Sequence, residues 1–541
     1  MILKKNIEAL TLNKYNINTI KKLENINDNN SYEIKFNKNN LISVSYKNKA
    51  LTSLYAPIEE AKRLIEQYIK NTDYTAIFLS IASFYHIDYF LSLNAKNKAI
   101  IIEKDIELLK LILSNMEIKY TDRIIILSEE NDVLLFFNNF IKEDNVKKLV
   151  VIRHIRASNI NEENKNYYDN ITIQLSNIIK ERLMSLTSNY YFAPIWARNI
   201  IYNMHNNNSI ESFKNYLNKE TPLLLVSAGA SIDNYIEKIK ELSESHFVLA
   251  VSHSLNTLLN NNIKPNAVVS TDGGFYSLTH ILNLFKEESI LLFTTHTSYP
   301  VNSIKKERKF FFSHNESLEK ILYNTKDNIY FPMEGSVIMP ALRIADFLNP
   351  KYILLAGCDF CHVDDKSHSK YSNAIALDFI TSNKINTFET KKYKRLNDDN
   401  KIKCFDDCLR NTSSSLLSYK NHFESLVANL SKNIDFFTLT KESAKIKNVN
   451  IYNMQKSSNK QLKDFKYIKE KQNKELLKNK LESLIKNINS NNFNNFSDDI
   501  NDILNMISPW HRDSFIEGKI KYDELKDYIN KWYNDISIFL D

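Results

Sequence analysis

Glycine is nearly missing from this chain: six residues in 541, where an average content near 7% would give roughly 38. Proline, cysteine and tryptophan are also scarce, at 9, 4 and 3 residues. Abundant Asn and Lys beside scarce Gly, Ala and Pro point to a base-composition bias. Under such a bias each glycine that remains is informative. The four cysteines, Cys358, Cys361, Cys404 and Cys408, form a C-x2-C and a C-x3-C pair. That spacing permits a zinc site, but the first pair follows a buried strand and the second lies in a charged, irregular segment, so reduced thiols are the expectation, ahead of metal or disulfides.

Charge of one sign is not concentrated anywhere. Lys and Arg number 71 against 64 Asp and Glu, a net charge of +7, without a basic block of five or six; this excludes a nucleic-acid stripe. The first residues, MILKKNIEALTLNKYN, lack the apolar core of a secretory signal, and a cytoplasmic location is expected. The most apolar window, 75–93, carries His86 and Asp88 and reads as a strand followed by a helix, which argues against a membrane span. A hydrophobic fraction of 43% supplies sizeable cores and excludes disorder.

The expected class is α/β, with two Rossmann-like doubly wound parallel-sheet domains followed by a helical C-terminal region. Residues 1–70 read as a polar lead-in with strands at 31–36 and 41–46 and a helix from Ile58 to Ile69 started by Pro57. Residues 71–204 alternate short apolar strands (76–82, 99–105, 123–128, 148–154) with helices, the pattern of right-handed βαβ units. Glu103 stands where such a domain places an acid against a cofactor, yet the loop after the first strand, SIASFYHI (80–87), has no glycine, and Phe84 and Tyr85 would fill the cofactor's space. A fold kept without its ligand is the expectation. Residues 205–455 repeat the alternation, with strands at 223–227, 247–252, 267–271, 290–295, 309–312, 352–356 and 436–440. Residues 456–541 read as helical, notably 474–488 and 524–540, for packing or a partner.

Five of the six glycines, Gly229, Gly273, Gly274, Gly335 and Gly357, fall between Thr221 and His368. Glycine lets backbone turn through positive φ or approach a ligand closely, so this clustering reads as a ligand rim beyond the carboxyl ends of the strands. SAGAS (227–231) leads into a helix whose free amides would attract phosphate, with Ser231 as cap or anion contact. No Lys follows it, so it is not a P-loop. Asp272, in VVSTDGG, suits a sugar or ribose hydroxyl or a cation. Gly335 and Ser336 open another helix. The loop GCDFCHVDDKSHSKY offers Asp359, His362, Asp364, Asp365, His368 and Tyr371, of which Asp359 and His368 are the candidate bases. His253 and His296 also follow strands and are further candidates to line the pocket.

These segments, LLLVSAGASID, NNNIKPNAVVSTDGG, EGSVIMPALRIADF and YILLAGCDF, together with the stretch around Trp196, resemble the motility-associated factor (Maf) family of flagellin glycosyltransferases. The central domain is also similar to archaeal 6-hydroxymethylpterin pyrophosphokinases and to bacterial sialyltransferases that use a CMP-activated sugar. The resemblance implies transfer of a nonulosonic (sialic-like) acid from CMP to Ser or Thr hydroxyls of flagellin. It implies donor contacts at Gly229, Ser231, Asp272, Gly273, Gly335 and Ser336, and catalytic groups at Asp359 and His368. No cofactor is firmly implied; Mg2+ is possible, although no clear D-x-D motif accompanies the phosphate loops. The chain departs from the family at Ala230, at Ala82 and Phe84, and at KESAKI (441–446). Two alternatives stand beside this reading: pyrophosphoryl transfer to a pterin alcohol, with Asp272 and Asp359 on one Mg2+, and an inactive flagellin-binding protein.

Overall fold

The computed structural model describes residues 2–24, 26, 31–69, 73–142, 145–314, 317–323, 329–332, 335–396, 400–453, 460–490, 498–516 and 519–540. The chain divides into two compact units, 1–188 and 189–541, and the division falls inside a 42-residue helix, Glu162–Asn203.

In the first unit a small antiparallel sheet, β1 (Tyr32–Phe36), β2 (Ile42–Tyr46) and β3 (Lys49–Ala50), precedes a four-stranded parallel sheet. The parallel strands are β4 (Thr75–Leu79), β5 (Lys98–Ile102), β6 (Ile124–Leu127) and β7 (Leu149–Arg153), in the order β6-β5-β4-β7. Strand runs such as AIFL in β4 are buried throughout, as expected for a sheet covered on both faces. Helix starts obey local chemistry: Pro57 opens Pro57–Glu66, and Asp105 caps Ile106–Asn115 by accepting from the Leu108 amide. Residues 1–70 are less separate than their composition suggests. They contain two helices the apolar spacing did not announce, Ile2–Leu10 and Ile17–Glu24, whose Leu10, Ile20 and Leu23 belong to the same core as β4 and β5.

The second unit carries an eight-stranded parallel sheet: β8 (Leu223–Val226), β9 (Phe247–Val251), β10 (Ala267–Ser270), β11 (Leu291–Thr295), β12 (Lys309–Phe312) and β13 (Ile353–Ala356), then β16 (Phe436–Thr438) and β17 (Val449–Ile451) after a short hairpin, β14 (Lys401–Lys403) and β15 (Leu409–Asn411). Its order is β12-β11-β10-β9-β8-β13-β16-β17. Side-chain alternation separates two cores. Leu223, Leu225, Leu249 and Val269 pack on one face with the helix Ile338–Phe347, while Leu224, Val226, Val248 and Val268 face the other with Ile239 and Leu258. Burying each such side chain contributes about 1.5–3 kcal/mol. The C-terminal helices Lys474–Asn489 and Tyr522–Ser537 pack, through Leu477, Leu481 and Ile529, with Ile200 and Leu322 of the same unit. The α/β class with Rossmann-like parallel sheets and a helical C-terminal region is thus borne out.

Candidate functional site

Chain progression reverses between β8 and β13, the point at which an open parallel sheet leaves a crevice beyond its strand ends. Gly229 and Gly357 meet there, and both are held by packing. A Cβ on Gly229 would lie 2.4 Å from the Asp359 Cγ and 2.4 Å from the Gly357 carbonyl oxygen. Gly357 has φ +70° and would drive a Cβ to 2.5 Å from Ile232. The anion expected on this loop is supplied by the chain itself. Asp359 accepts from the Ser231 amide at 2.9 Å, from the Ser231 hydroxyl, and from the Ser443 hydroxyl at 2.8 Å.

Ser231 is therefore not the helix cap its position suggested. It is fully buried inside a 3-10 turn, Ala230–Tyr235, that precedes the α-helix Ile236–Ser243. Burial raises the Asp359 pKa while the bonds from Ser231 and Ser443 pull it down. A carboxylate so enclosed has no line to an acceptor hydroxyl in this conformation.

One step along the edge, beyond β9 and β10, the picture inverts. The Asp272 main chain is pinned, its carbonyl accepting from the Tyr299 amide at 3.0 Å and the Ser277 hydroxyl at 3.1 Å. Its carboxylate is exposed and makes no hydrogen bond to a described residue. It sits in a concavity of protein atoms, however, and that partial desolvation raises its pKa against the lowering influence of His280.

The His280 ring stacks on His253 with centroids 3.8 Å apart, and His253 lies 6.5 Å from His368. His280 Nδ1 is buried without a hydrogen-bond partner. Burial holds His253 and His280 at about 4, so both imidazoles are neutral at pH 7 and open to a proton. Four segments of the rim, at 253, 272, 280 and 368, thus bring one carboxylate and three imidazoles together. His280 was missed in the sequence because it stands inside a short helix, Ser277–Ile281; its spacing of eight residues from Asp272 was the available signal.

The two adjacent glycines have different reasons. A Cβ on Gly273 would strike Trp196 at 2.6 Å, whereas one on Gly274 would meet nothing within 4 Å. Asn199 donates to the Gly273 and Thr297 carbonyls, both at 2.9 Å, so the helix bearing Trp196 and Asn199 buttresses the Asp272 loop. Gly273 is a packing glycine, and Gly274 is the one bordering open space. Gly335 is exposed, with the Tyr419 ring 3.2 Å from its absent Cβ. Ser336 follows at the start of Ile338–Phe347, a helix without a side-chain cap.

The remaining candidates separate. His296 is fully buried, stacked on Phe311 and Tyr323 and 3.3 Å from the Glu470 carboxylate, and burial depresses its pKa to about 3; it belongs to the core and not to the rim. His362 is buried, Asp364 and Asp365 form an exposed turn at φ +51° and +57°, and Tyr371 is exposed. The cysteines regroup: Cys361 and Cys404 lie with sulfurs 3.8 Å apart, across the two sequence pairs. Among the described residues no group of three or more His, Cys, Asp or Glu is arranged to hold a metal.

In the first unit Glu103 is consumed internally. It accepts from Ser80 Oγ at 2.9 Å, the Ile81 amide at 2.8 Å, the Asp105 amide at 2.9 Å and Tyr168 Oη at 2.9 Å. Phe84 enters the core, and the Tyr85 hydroxyl accepts from the Ile42 amide at 2.8 Å. The glycine-free loop still adopts a glycine-like path, with Ser80, Ala82 and Phe84 at φ +77°, +44° and +67°.

Residues 198–365 match the family model described as 6-hydroxymethylpterin diphosphokinase MptE-like. Among solved structures the chain is similar to a Maf glycosyltransferase from Magnetospirillum magneticum AMB-1, with 12% sequence identity and a TM-score of 0.60 over 100% of this chain and 95% of that one. By sequence alone no curated protein matches. The two matches agree with the resemblance carried by the glycine-bearing motifs: an MptE-like central segment within a chain of Maf fold.

Proposed function

We propose that this chain is a glycosyltransferase that moves a nonulosonic acid from a CMP donor to Ser or Thr hydroxyls of flagellin in the cytoplasm. The observation that carries the reading is the convergence of Asp272, His253, His280 and His368 on one rim, in a chain with the fold of a Maf glycosyltransferase. Among the described residues no helix is long and apolar enough to cross a membrane.

The chemistry follows from the groups present. The acceptor oxygen attacks the anomeric carbon, the bond from that carbon to the donor phosphate breaks, and CMP departs with the electron pair. The acceptor proton passes to a neutral imidazole. His280 is suited to receive it, because the Asp272 carboxylate beside it stabilises the imidazolium that forms. His253, stacked on His280, carries no charge to oppose that step. Gly335 and Ser336, which precede the helix Ile338–Phe347, take the leaving phosphate through their own amides, since the Met339 amide is bonded to the Ser336 carbonyl and Pro340 has no N–H. Asp359 and Ser231 act as positioning residues, holding the crevice loops together. His368, in the third imidazole position, orients the acceptor.

The MptE-like match favours a second reading, diphosphoryl transfer from ATP to a pterin alcohol. That chemistry calls for carboxylates converging on Mg2+. Asp272 is available, but Asp359 is bound to Ser231 and Ser443, so the residues present do not form the pair. Intact mass of flagellin incubated with CMP-nonulosonate and the protein separates the readings. An added nonulosonate mass with wild type, reduced at least about a hundredfold in rate by Asp272→Asn at unchanged or slightly higher Tm, is expected. Unmodified flagellin, with stabilisation by ATP and Mg2+ alone, overturns the first reading in favour of the second.

A further inference from the structure

The first unit has its own reversal of strand order, between β4 and β7. Glu103 and Tyr168 close the β5 side of that edge. The β7 side is open, with a cavity of about 580 Å³, a size typical of small-molecule sites. Three arginines line it: Arg63 from Pro57–Glu66, Arg153 at the end of β7, and Arg156 in the short helix that follows, Ile155–Ser158.

The three cations differ in how they are held. Arg153 is fixed by Ser158 at 2.8 Å, Asn159 at 2.6 Å and Asp169 at 2.5 Å. Arg156 forms an ion pair with Glu60. Arg63 is exposed and has no ion pair or hydrogen bond to a described residue. Arg153 is compensated by Asp169, Arg156 by Glu60 and Glu59 by Lys62, so Arg63 is left as the uncompensated positive charge on the wall, which suits one phosphate group better than a polyphosphate. The glutamates and Gln67 supply partners for hydroxyl groups, which inorganic phosphate lacks.

A second feature lies beneath. A void of about 10 Å³, bordered by His86 and His154, has room for about one water. The two rings are 5.3 Å apart. His86 is 3% exposed and its Nε2 has no hydrogen-bond partner, a costly state for a buried polar atom. Burial keeps both imidazoles neutral near pH 7, so the attraction for an anion comes from the arginines, and His86 Nε2 is left to bond a water or ligand oxygen entering from above.

We infer that this cavity binds a phosphate monoester of a polyhydroxylated carbon skeleton, a sugar phosphate or nucleoside monophosphate. The phosphate sits on Arg63 and shares Arg156 with Glu60. Hydroxyls face Glu59 and Gln67, and a water links the ligand to His86. The site is independent of the glycosyl-transfer reading of the second unit.

Calorimetric titration of the full chain with ribose 5-phosphate, AMP, ribose and inorganic phosphate tests it. Saturable binding of at least one ester is expected, weakened at least about tenfold by Arg63→Ala through loss of a charge-assisted bond. Gln67→Ala should weaken it less. Neither change should shift Tm, since both side chains are exposed, and Asp272→Asn should leave this binding intact. Ribose 5-phosphate and AMP, compared with each other, identify the skeleton. No saturable binding of either ester at millimolar concentration, equal affinity for inorganic phosphate, or binding lost in Asp272→Asn but kept in Arg63→Ala would each overturn the assignment.

Discussion

Gly229→Ala separates two explanations of the glycine clustering. If glycine is kept at 229 to let a donor phosphate approach, adding a methyl group should abolish donor binding and leave stability alone. The structure predicts the opposite emphasis. The new Cβ would stand 2.4 Å from Asp359 Cγ, from its Oδ2 and from the Gly357 carbonyl oxygen, and none of these can yield cheaply. Asp359 is held by Ser231 and Ser443, and the Gly357 carbonyl accepts from the Gly229 amide at 3.0 Å. Overpacking of this kind costs about 1–3 kcal/mol. Displacing Asp359 from the Ser231 amide or hydroxyl costs about 1.5–3 kcal/mol more for a bond to a charged group. The sum, about 2.5–6 kcal/mol, corresponds to a fall in Tm of about 3–8 °C for a unit spanning 189–541. Gly274→Ala is the matched control, because its Cβ meets nothing within 4 Å and the backbone there has no positive φ; it should change stability by less than about 1 kcal/mol. Thermal unfolding followed by circular dichroism, with urea midpoints as a check, reads both variants. Equal Tm values for the two would refute the packing account of Gly229.

Further outcomes follow from the same contacts. Asn199→Ala strands two buried carbonyls, Gly273 and Thr297, and should cost about 2–4 kcal/mol in urea unfolding while lowering the transfer rate through the Asp272 loop. His280→Ala should lower kcat/KM by about 10²–10⁴-fold; because burial holds the free imidazole at about 4, wild-type kcat/KM should be flat from pH 6 to 8, and a steep rise across that range contradicts His280 as the base. Burial pushes Glu103 up to about 7. A carboxyl raised in the folded state binds more protons there than when unfolded, so stability contributed by Glu103 is present at pH 4.5 and is lost as pH rises towards 7. The urea midpoint of the first unit should fall across that window, and Glu103→Gln should flatten the slope.

Much of the architecture was legible in the chain. Short apolar runs bounded by polar segments located β6 to β13 within one residue and β4 and β5 within three, since a buried parallel strand needs apolar side chains on both faces. The two N-terminal helices were not legible, because Asn-rich segments such as LTLNKYNINTI carry a weak apolar period and are held by contacts from elsewhere: the Asn16 side chain donates to the Leu10 and Ile124 carbonyls. The hairpin of β14 and β15 escaped for a similar reason, its strands being three residues each with exposed Lys401, Lys403 and Leu409.

Composition and motif order by themselves determined the fold class, the glycine-bearing edge of the second sheet and the resemblance that goes with it, because strand periodicity and scarce glycines are local properties of a sequence. What each glycine is for was decided only in three dimensions. Gly229 and Gly357 make room for Asp359 and Ile232, Gly273 for Trp196, and among the described glycines Gly274 alone opens on space. Folding likewise encloses Asp359 against Ser231 and stacks His280 on His253, rings that meet only when the loops after β9 and β10 are brought side by side by strand pairing. Distances across a sheet depend on strand order, and strand order is fixed by the packing of the whole unit.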